Sequence, residues 1–283
     1  MAGFFWSKNE KKGRHETAGF RSCPKEFERY RDSNSDYGFP AMAQNTRPRS
    51  ASLIQGLLQQ RQWPSSQLFG WLLDDVLADL TGQRKPDPPP VEALSSLRDL
   101  AGEYARCVAE HPPFEDLLGP VFMEVAHRGD QQARGQFFTP PGIARLTAEM
   151  LNVEYSGPHP DGRLWQVYEP ASGAGGMLLA FIQVQIERFT PESLRHWSYT
   201  AIDLDTRCAQ ITAAQLLANV LIHQMPMGEV VVYQGNALAP DADWRVIVHA
   251  SMEADRPTAR HPARIEAVQA AAARNVDLFG LPA

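Results

Sequence analysis

From Arg163 the chain reads RLWQVYEPASGAGGMLLAFIQVQIERF. A short apolar run, a cluster of small residues and an apolar run at helical spacing make a strand, a tight loop and a helix. This unit constrains the fold more than any other stretch. A strand that feeds a helix is the repeating element of a parallel sheet, because parallel neighbours need a crossover. YTAIDLD, GEVVVYQGNA and DWRVIVHA read as three further strands, and DTRCAQITAAQLLANVLIH as the helix between the first two of them. Strand–helix–strand–helix–strand–strand predicts a parallel α/β sheet, with ligands bound beyond the carboxyl ends of its strands.

The chain upstream has a different character. SLIQGLLQQ, SSQLFGWLLDDVLADL, VEALSSLRDLAGEYARCVAEH and FEDLLGPVFMEVAH read as four helices, with Ser65 or Ser66 as N-cap of the second. A proline-rich linker at 86–90 separates the second helix from the third. Residues 1–50 are polar, aperiodic and basic, and read as a disordered tail in which Met42 is an alternative start. The expected division is therefore a tail (1–50), a helical region (51–134), a ligand-binding α/β domain (135–250) and a C-terminal loop and helix (251–283).

Gly173-Ala174-Gly175 sits where a dinucleotide loop would sit, but Leu178 replaces the third glycine of that pattern. No Gly-Lys-Ser/Thr makes a phosphate loop either. Glu169 stands four residues before Gly173, and a carboxylate there would repel a pyrophosphate. S-adenosylmethionine carries no phosphate; its sulfonium and α-ammonium are both positive and suit a carboxylate. The glycines then allow the backbone a close approach to the methionine part. Asp203, at the end of the next strand, is placed to accept hydrogen bonds from the ribose hydroxyls. Asp205 competes for that role, and a helix N-cap competes as the role of Asp203.

Bulk properties narrow the class. With 43% hydrophobic and 21% charged residues in 283, the composition is that of a globular protein. No apolar run is long enough to span a bilayer. Three scattered cysteines, Cys23, Cys107 and Cys208, give neither a disulfide framework nor metal-ligand spacing, which predicts a reduced, cytoplasmic, metal-free protein. The formal charge is −6, yet residues 1–50 hold ten Lys/Arg against six Asp/Glu. Outside the tail no basic stripe of the kind nucleic-acid binders carry is visible.

Four stretches now resemble a known family, the N6-adenine DNA methyltransferases, especially modification subunits of type I restriction systems. GQFFTP (135–140) resembles the family's element upstream of the glycine loop, EPASGAGG (169–176) its loop, AIDLD (201–205) its ribose-binding strand end, and GNAL (235–238) the element after its third strand. The resemblance implies a Rossmann-like S-adenosylmethionine-dependent methyltransferase sheet, incomplete at its C-terminal side and preceded by an all-helical region. It assigns cofactor binding to Phe137, Phe138, Thr139, Glu169, Pro170, Ala171, Ser172, Gly173, Gly175, Asp203 and Asn236. Thr139 reads as the cap of the helix PPGIARLTAEML, with Pro140 at its first position. Phe137 and Phe138 either pack on the cofactor or staple the helix start into the core.

The family's chemistry lies after the fourth strand, in Asn/Asp-Pro-Pro-aromatic, which orients the amine and stacks on a flipped base. Here VIV is followed by His249-Ala250-Ser251-Met252, and Asp87-Pro88-Pro89-Pro90 lies in the linker without an aromatic. About 30 residues follow, too few for the rest of a seven-stranded sheet or a target-recognition domain. The implied function is cofactor binding within a DNA-modification system, acting on DNA with a partner subunit and without methyl transfer by this chain alone. A regulatory module, or a methyltransferase for another substrate, remains the alternative; a nicotinamide oxidoreductase is disfavoured by Glu169. Oligomerisation is open. The helical region either buries its apolar faces internally or leaves Leu68, Trp71, Leu72 and Val76 exposed for a partner.

Overall fold

The computed structural model describes residues 5–7, 17–19, 50–82, 88–125, 138–151, 155–238 and 244–251. Four helices come first: α1 (Ala51–Gln59), α2 (Ser65–Thr81), α3 (Leu94–Glu110) and α4 (Leu118–Val125). Then come α5 (Pro141–Met150), the strand β3 (Trp165–Glu169), α6 (Gly176–Arg188), β4 (Trp197–Asp203), α7 (Thr206–Ile222), β5 (Glu229–Gln234) and β6 (Arg245–Ser251). Two short strands near the N-terminus are β1 (Phe5–Ser7) and β2 (Thr17–Gly19). The sheet order is β2-β1-β6-β5-β4-β3.

The crossovers through α6 and α7 make β3, β4 and β5 parallel, as expected. β6 corrects the fully parallel reading: it runs antiparallel to β5. Only residues 235–244 join these two strands, and a parallel return needs a dozen residues or more. Within β3–β6 the Rossmann-like sheet is thus incomplete and mostly parallel, and β1 extends it antiparallel. Within the stretch read as a disordered tail, β1 and β2 form a hairpin whose Phe5 and Trp6 pair with Ser251 and Ala250 of β6. The remainder of residues 1–49, Met42 included, lies outside the described residues, as do 83–87, Phe137 and the helix expected within 252–283.

The helical region closes on itself and on the sheet. Leu68, Leu72 and Val76 are buried, and Trp71 packs edge-on against Trp63, so the exposed-face reading does not hold. One apolar cluster runs from Leu53 through Tyr104 and Leu217 to Ala250, leaving no separate helical core. α2 lies against α7, where Arg207 donates to the Gly70 carbonyl (3.1 Å) and to Asp74 (3.1 Å). Gly70 makes room for this: a Cβ there would sit 2.8 Å from the guanidinium.

Two helix starts differ from expectation, and that of α5 has a steric reason. α2 begins after Pro64, without a Ser65 or Ser66 side-chain cap, and α5 begins at Pro141 with Pro140 as N-cap. Pro140 precedes a proline, which excludes the helical conformation; its ψ of 141° is extended. Thr139 is therefore one residue too early to cap α5, and its side chain is exposed.

Candidate functional site

The loop Pro170–Gly175 leaves β3 and enters α6. Gly173 and Gly175 adopt φ values of +55° and +88°, the left-handed region in which a Cβ is penalised. Space restricts them too. A Cβ on Gly173 would lie 3.1 Å from the Phe138 ring, and one on Gly175 would lie 3.1 Å from Thr212. The Gly175 N–H closes the turn onto the Ser172 carbonyl (2.7 Å). Ser172 is buried, whereas Pro170 and Ala171 are exposed on the rim.

Asp203 gathers three segments. Its Oδ2 accepts the Gly173 N–H (2.7 Å), its Oδ1 accepts the Asp205 N–H (2.8 Å), and its carbonyl accepts the Gly235 N–H (2.8 Å). Asp205, and not Asp203, is the N-cap of α7, accepting from Arg207 N and Cys208 N. Asp203 is half-buried, and a carboxylate with two amide donors retains lone pairs for further donors. Glu169, at the end of β3 where the loop begins, accepts a long bond from Ala171 N (3.4 Å).

Burial pushes the carboxyl groups of Glu169 and Asp203 above the usual carboxylate range. The amide donors on each oppose that rise, and the Asp203 charge adds to it at Glu169. Two carboxylates made costly by desolvation, flanking one backbone loop, favour a cationic ligand over an anionic one.

Phe138 covers Gly173 and stacks on Phe122 (5.7 Å between centroids), which in turn meets Phe69 (6.2 Å). Phe138 thus both borders the loop and anchors it to the helical region. Asn236 lies at the carboxyl end of β5, exposed, with its Oδ1 accepting the Leu238 N–H (3.0 Å). Thr139 is exposed beside Phe138.

Several residues at the site escaped the sequence reading. Leu204 is 70% exposed beside Asp203, and Leu238 is 74% exposed beyond β5. These are apolar surfaces at the strand ends where ligands bind; an apolar residue between two acids is the signal that marks Leu204. Trp244 packs on Tyr233 and donates to the Asn236 carbonyl (2.9 Å), adding an aromatic wall. On α7, Thr212, Gln215 and Asn219 are buried polar residues on one face of an otherwise apolar helix.

After the VIV run the strand leads away from this loop. Ser251 pairs with Glu229, the first residue of β5, whereas Arg245 pairs with Gln234, the last. His249 is buried against Glu229 (3.0 Å), which also accepts from Ser198 (2.6 Å). Among the described residues no group of three or more His, Cys, Asp or Glu is placed to hold a metal ion, and no helix is long and apolar enough to cross a membrane.

Residues 115–255 match the family described as N-6 DNA Methylase. Among solved structures, the methyltransferase subunit of a type I restriction-modification system from Streptococcus thermophilus is similar at 16% identity and a TM-score of 0.27. That alignment covers 71% of this chain and 36% of the subunit, so the chain spans little more than a third of its length. No curated protein matches the chain. Through the segment that holds the glycine loop, Asp203 and Asn236, the chain belongs to the N-6 DNA methylase family.

Proposed function

We propose that this chain binds S-adenosylmethionine in the crevice between the glycine loop and the carboxyl ends of β4 and β5, as the cofactor unit of a cytoplasmic DNA adenine-N6 modification system. The observation that carries the reading is the pair of half-buried carboxylates, Glu169 and Asp203, on either side of a two-glycine loop. Glu169 receives the positive methionine part, Gly173 and Gly175 let the backbone approach it, and Ser172 holds the turn. Asp203 accepts the ribose hydroxyls. Leu204 offers an apolar face to the adenine, with Asn236 at its edge. Phe138, with Thr139 after it, lines the methionine side, while Pro170 and Ala171 form the rim. When bound, the cofactor supplies a methyl group on a sulfonium, an electrophile.

DNA is the substrate of this reading, and a partner subunit supplies both the grip on DNA and the groups that orient an adenine amine. Two observations favour the partner. Residues 51–283 carry 17 Lys/Arg against 27 Asp/Glu, an acidic rather than basic balance. The antiparallel course of β6 carries the chain away from Asp203, with His249 midway along the sheet and Ser251 at its far end. A non-catalytic regulatory module is the second reading, favoured by the same course of β6.

Titration calorimetry of the purified chain with S-adenosylhomocysteine and S-adenosylmethionine tests the first statement. Saturable heat with either is expected, and its loss in Glu169→Ala. Absence of heat from both at millimolar ligand would overturn it. Labelled methyl incorporation into DNA tests the second. The chain alone is expected to match the Glu169→Ala control.

A further inference from the structure

The α7 polar face has a role that the cofactor-contacting residues do not explain. Gln215, 1% exposed, uses its full hydrogen-bonding capacity. Its Oε1 accepts the N–H groups of Leu117 (2.8 Å) and Leu118 (3.1 Å). Its Nε2 donates to the Ala174 carbonyl in the glycine loop (2.9 Å) and to Asp116 Oδ1 (2.9 Å). One turn earlier, the Thr212 hydroxyl donates to the Gly173 carbonyl (3.1 Å). One turn later, Asn219 Oδ1 accepts the Phe114 N–H (2.6 Å). Asp116 completes the set by capping the start of α4 at Gly119 (2.8 Å).

Two consecutive loop carbonyls are thus drawn down onto α7. A trans peptide points its C=O and N–H in opposite directions. Drawing the Gly173 carbonyl to Thr212 therefore turns the Ala174 N–H away from α7. Drawing the Ala174 carbonyl to Gln215 aims the Gly175 N–H at Ser172, which closes the turn. Without these partners a loop with two left-handed glycines has many other conformations available. The same Gln215 amide holds the Phe114–Leu118 segment, so the helical region and the loop share one anchor.

We propose that Thr212 and Gln215 are positioning residues for the cofactor loop, and that Gln215 makes the loop's conformation depend on the docking of residues 114–118. This rests on the cofactor-binding reading above, yet its test has an arm independent of any ligand. Amide hydrogen exchange on the full chain reads the loop (171–178) and the docked segment (114–119) separately. Thr212→Val is expected to speed loop exchange about tenfold and leave 114–119 unchanged, as befits one lost buried bond. Thr212→Ser, which keeps the hydroxyl, is expected to restore wild-type exchange. Gln215→Met is expected to speed exchange in both segments, with α1 and α2 unchanged. S-adenosylhomocysteine affinity is expected to fall by about tenfold in Thr212→Val and Gln215→Met and to be retained in Thr212→Ser.

Loop exchange and affinity within about twofold of wild type in both Thr212→Val and a folded Gln215→Met would overturn the proposal. Equal loss in Thr212→Val and Thr212→Ser would also overturn it, since packing rather than the hydroxyl would then be responsible. Should Gln215→Met not fold, the Thr212 pair decides for the loop and Asn219→Leu, which releases the Phe114 N–H, decides for the coupling. Loop exchange unchanged in Asn219→Leu while 114–119 opens would refute it. If the wild-type chain binds neither ligand, the function reading fails and the exchange arm still stands on its own.

Discussion

Two aspartates two residues apart do different work, and the difference is measurable. Asp203→Asn is expected to weaken S-adenosylhomocysteine binding by tenfold or more and to cost about 1–3 kcal/mol of stability, because the new NH2 cannot accept from one of the two amide donors, Gly173 and Asp205. Asp205→Ala is expected to cost about 1 kcal/mol of stability, the value of an N-cap, with little effect on affinity. Calorimetry and urea denaturation of both variants check this; a reversed pattern would reassign the roles. Protons add a second test. Glu169 and Asp203 hold their protons at higher pH than ordinary carboxyls because burial penalises the charge. A cationic ligand binds the ionised forms, so affinity is expected to fall as pH is lowered through those raised values, with protons released on binding. Glu169→Gln should flatten the profile. His223 works in the opposite sense. Burial depresses its pKa from 6.5 to about 4, against a bond to the Val108 carbonyl. Its contribution to stability is complete above the unfolded value and is lost as pH falls toward 4. His223→Gln should reduce acid destabilisation between those values by at most about 3 kcal/mol, measured as urea midpoints against pH.

At the scale of elements, the strands and helices follow periodicity, while their ends follow local sterics. α7 was legible as a helix from its apolar residues, but its polar face was not, because spacing alone does not say which face meets a loop. The start of α5 was misplaced by one residue because Pro141 constrains Pro140 as well as itself. The turn into β5 depends on a glycine for space rather than for φ. A Cβ on Gly228 would lie 2.2 Å from the Arg195 carbonyl oxygen and 2.7 Å from that of Trp197. Neither backbone atom has freedom to move away. Gly228→Ala is expected to destabilise by more than about 3 kcal/mol, read from urea denaturation; a loss under about 1 kcal/mol would mean that the turn adjusts.

At the scale of the whole molecule, the helical region and the sheet share one core, with α2, α3 and α4 all against α7. They are therefore expected to unfold together. Trp71 lies in α2 and Trp63 in the bend that precedes it, whereas Trp165 and Trp197 lie in the sheet. Denaturation followed by fluorescence of single-tryptophan variants from each pair should give one midpoint, coincident with far-UV circular dichroism. Two separated transitions would show that the shared cluster does not couple them.

What the sequence alone determined was whatever is written in neighbouring residues: the strand-loop-helix units, the two glycines of the loop, the acids at the strand ends and the parallel direction of three strands. These follow from period, side-chain charge and backbone sterics, which act over a few residues. What only the tertiary structure decided was which groups meet. The direction of β6 depends on how far a short link reaches. The separate roles of Asp203 and Asp205 depend on where α7 starts. The clamp of Gln215 on Leu117 and Ala174 joins residues 98 and 41 positions from it. No local pattern encodes such a bond, because its partners are backbone groups that look alike in every sequence until packing brings them together.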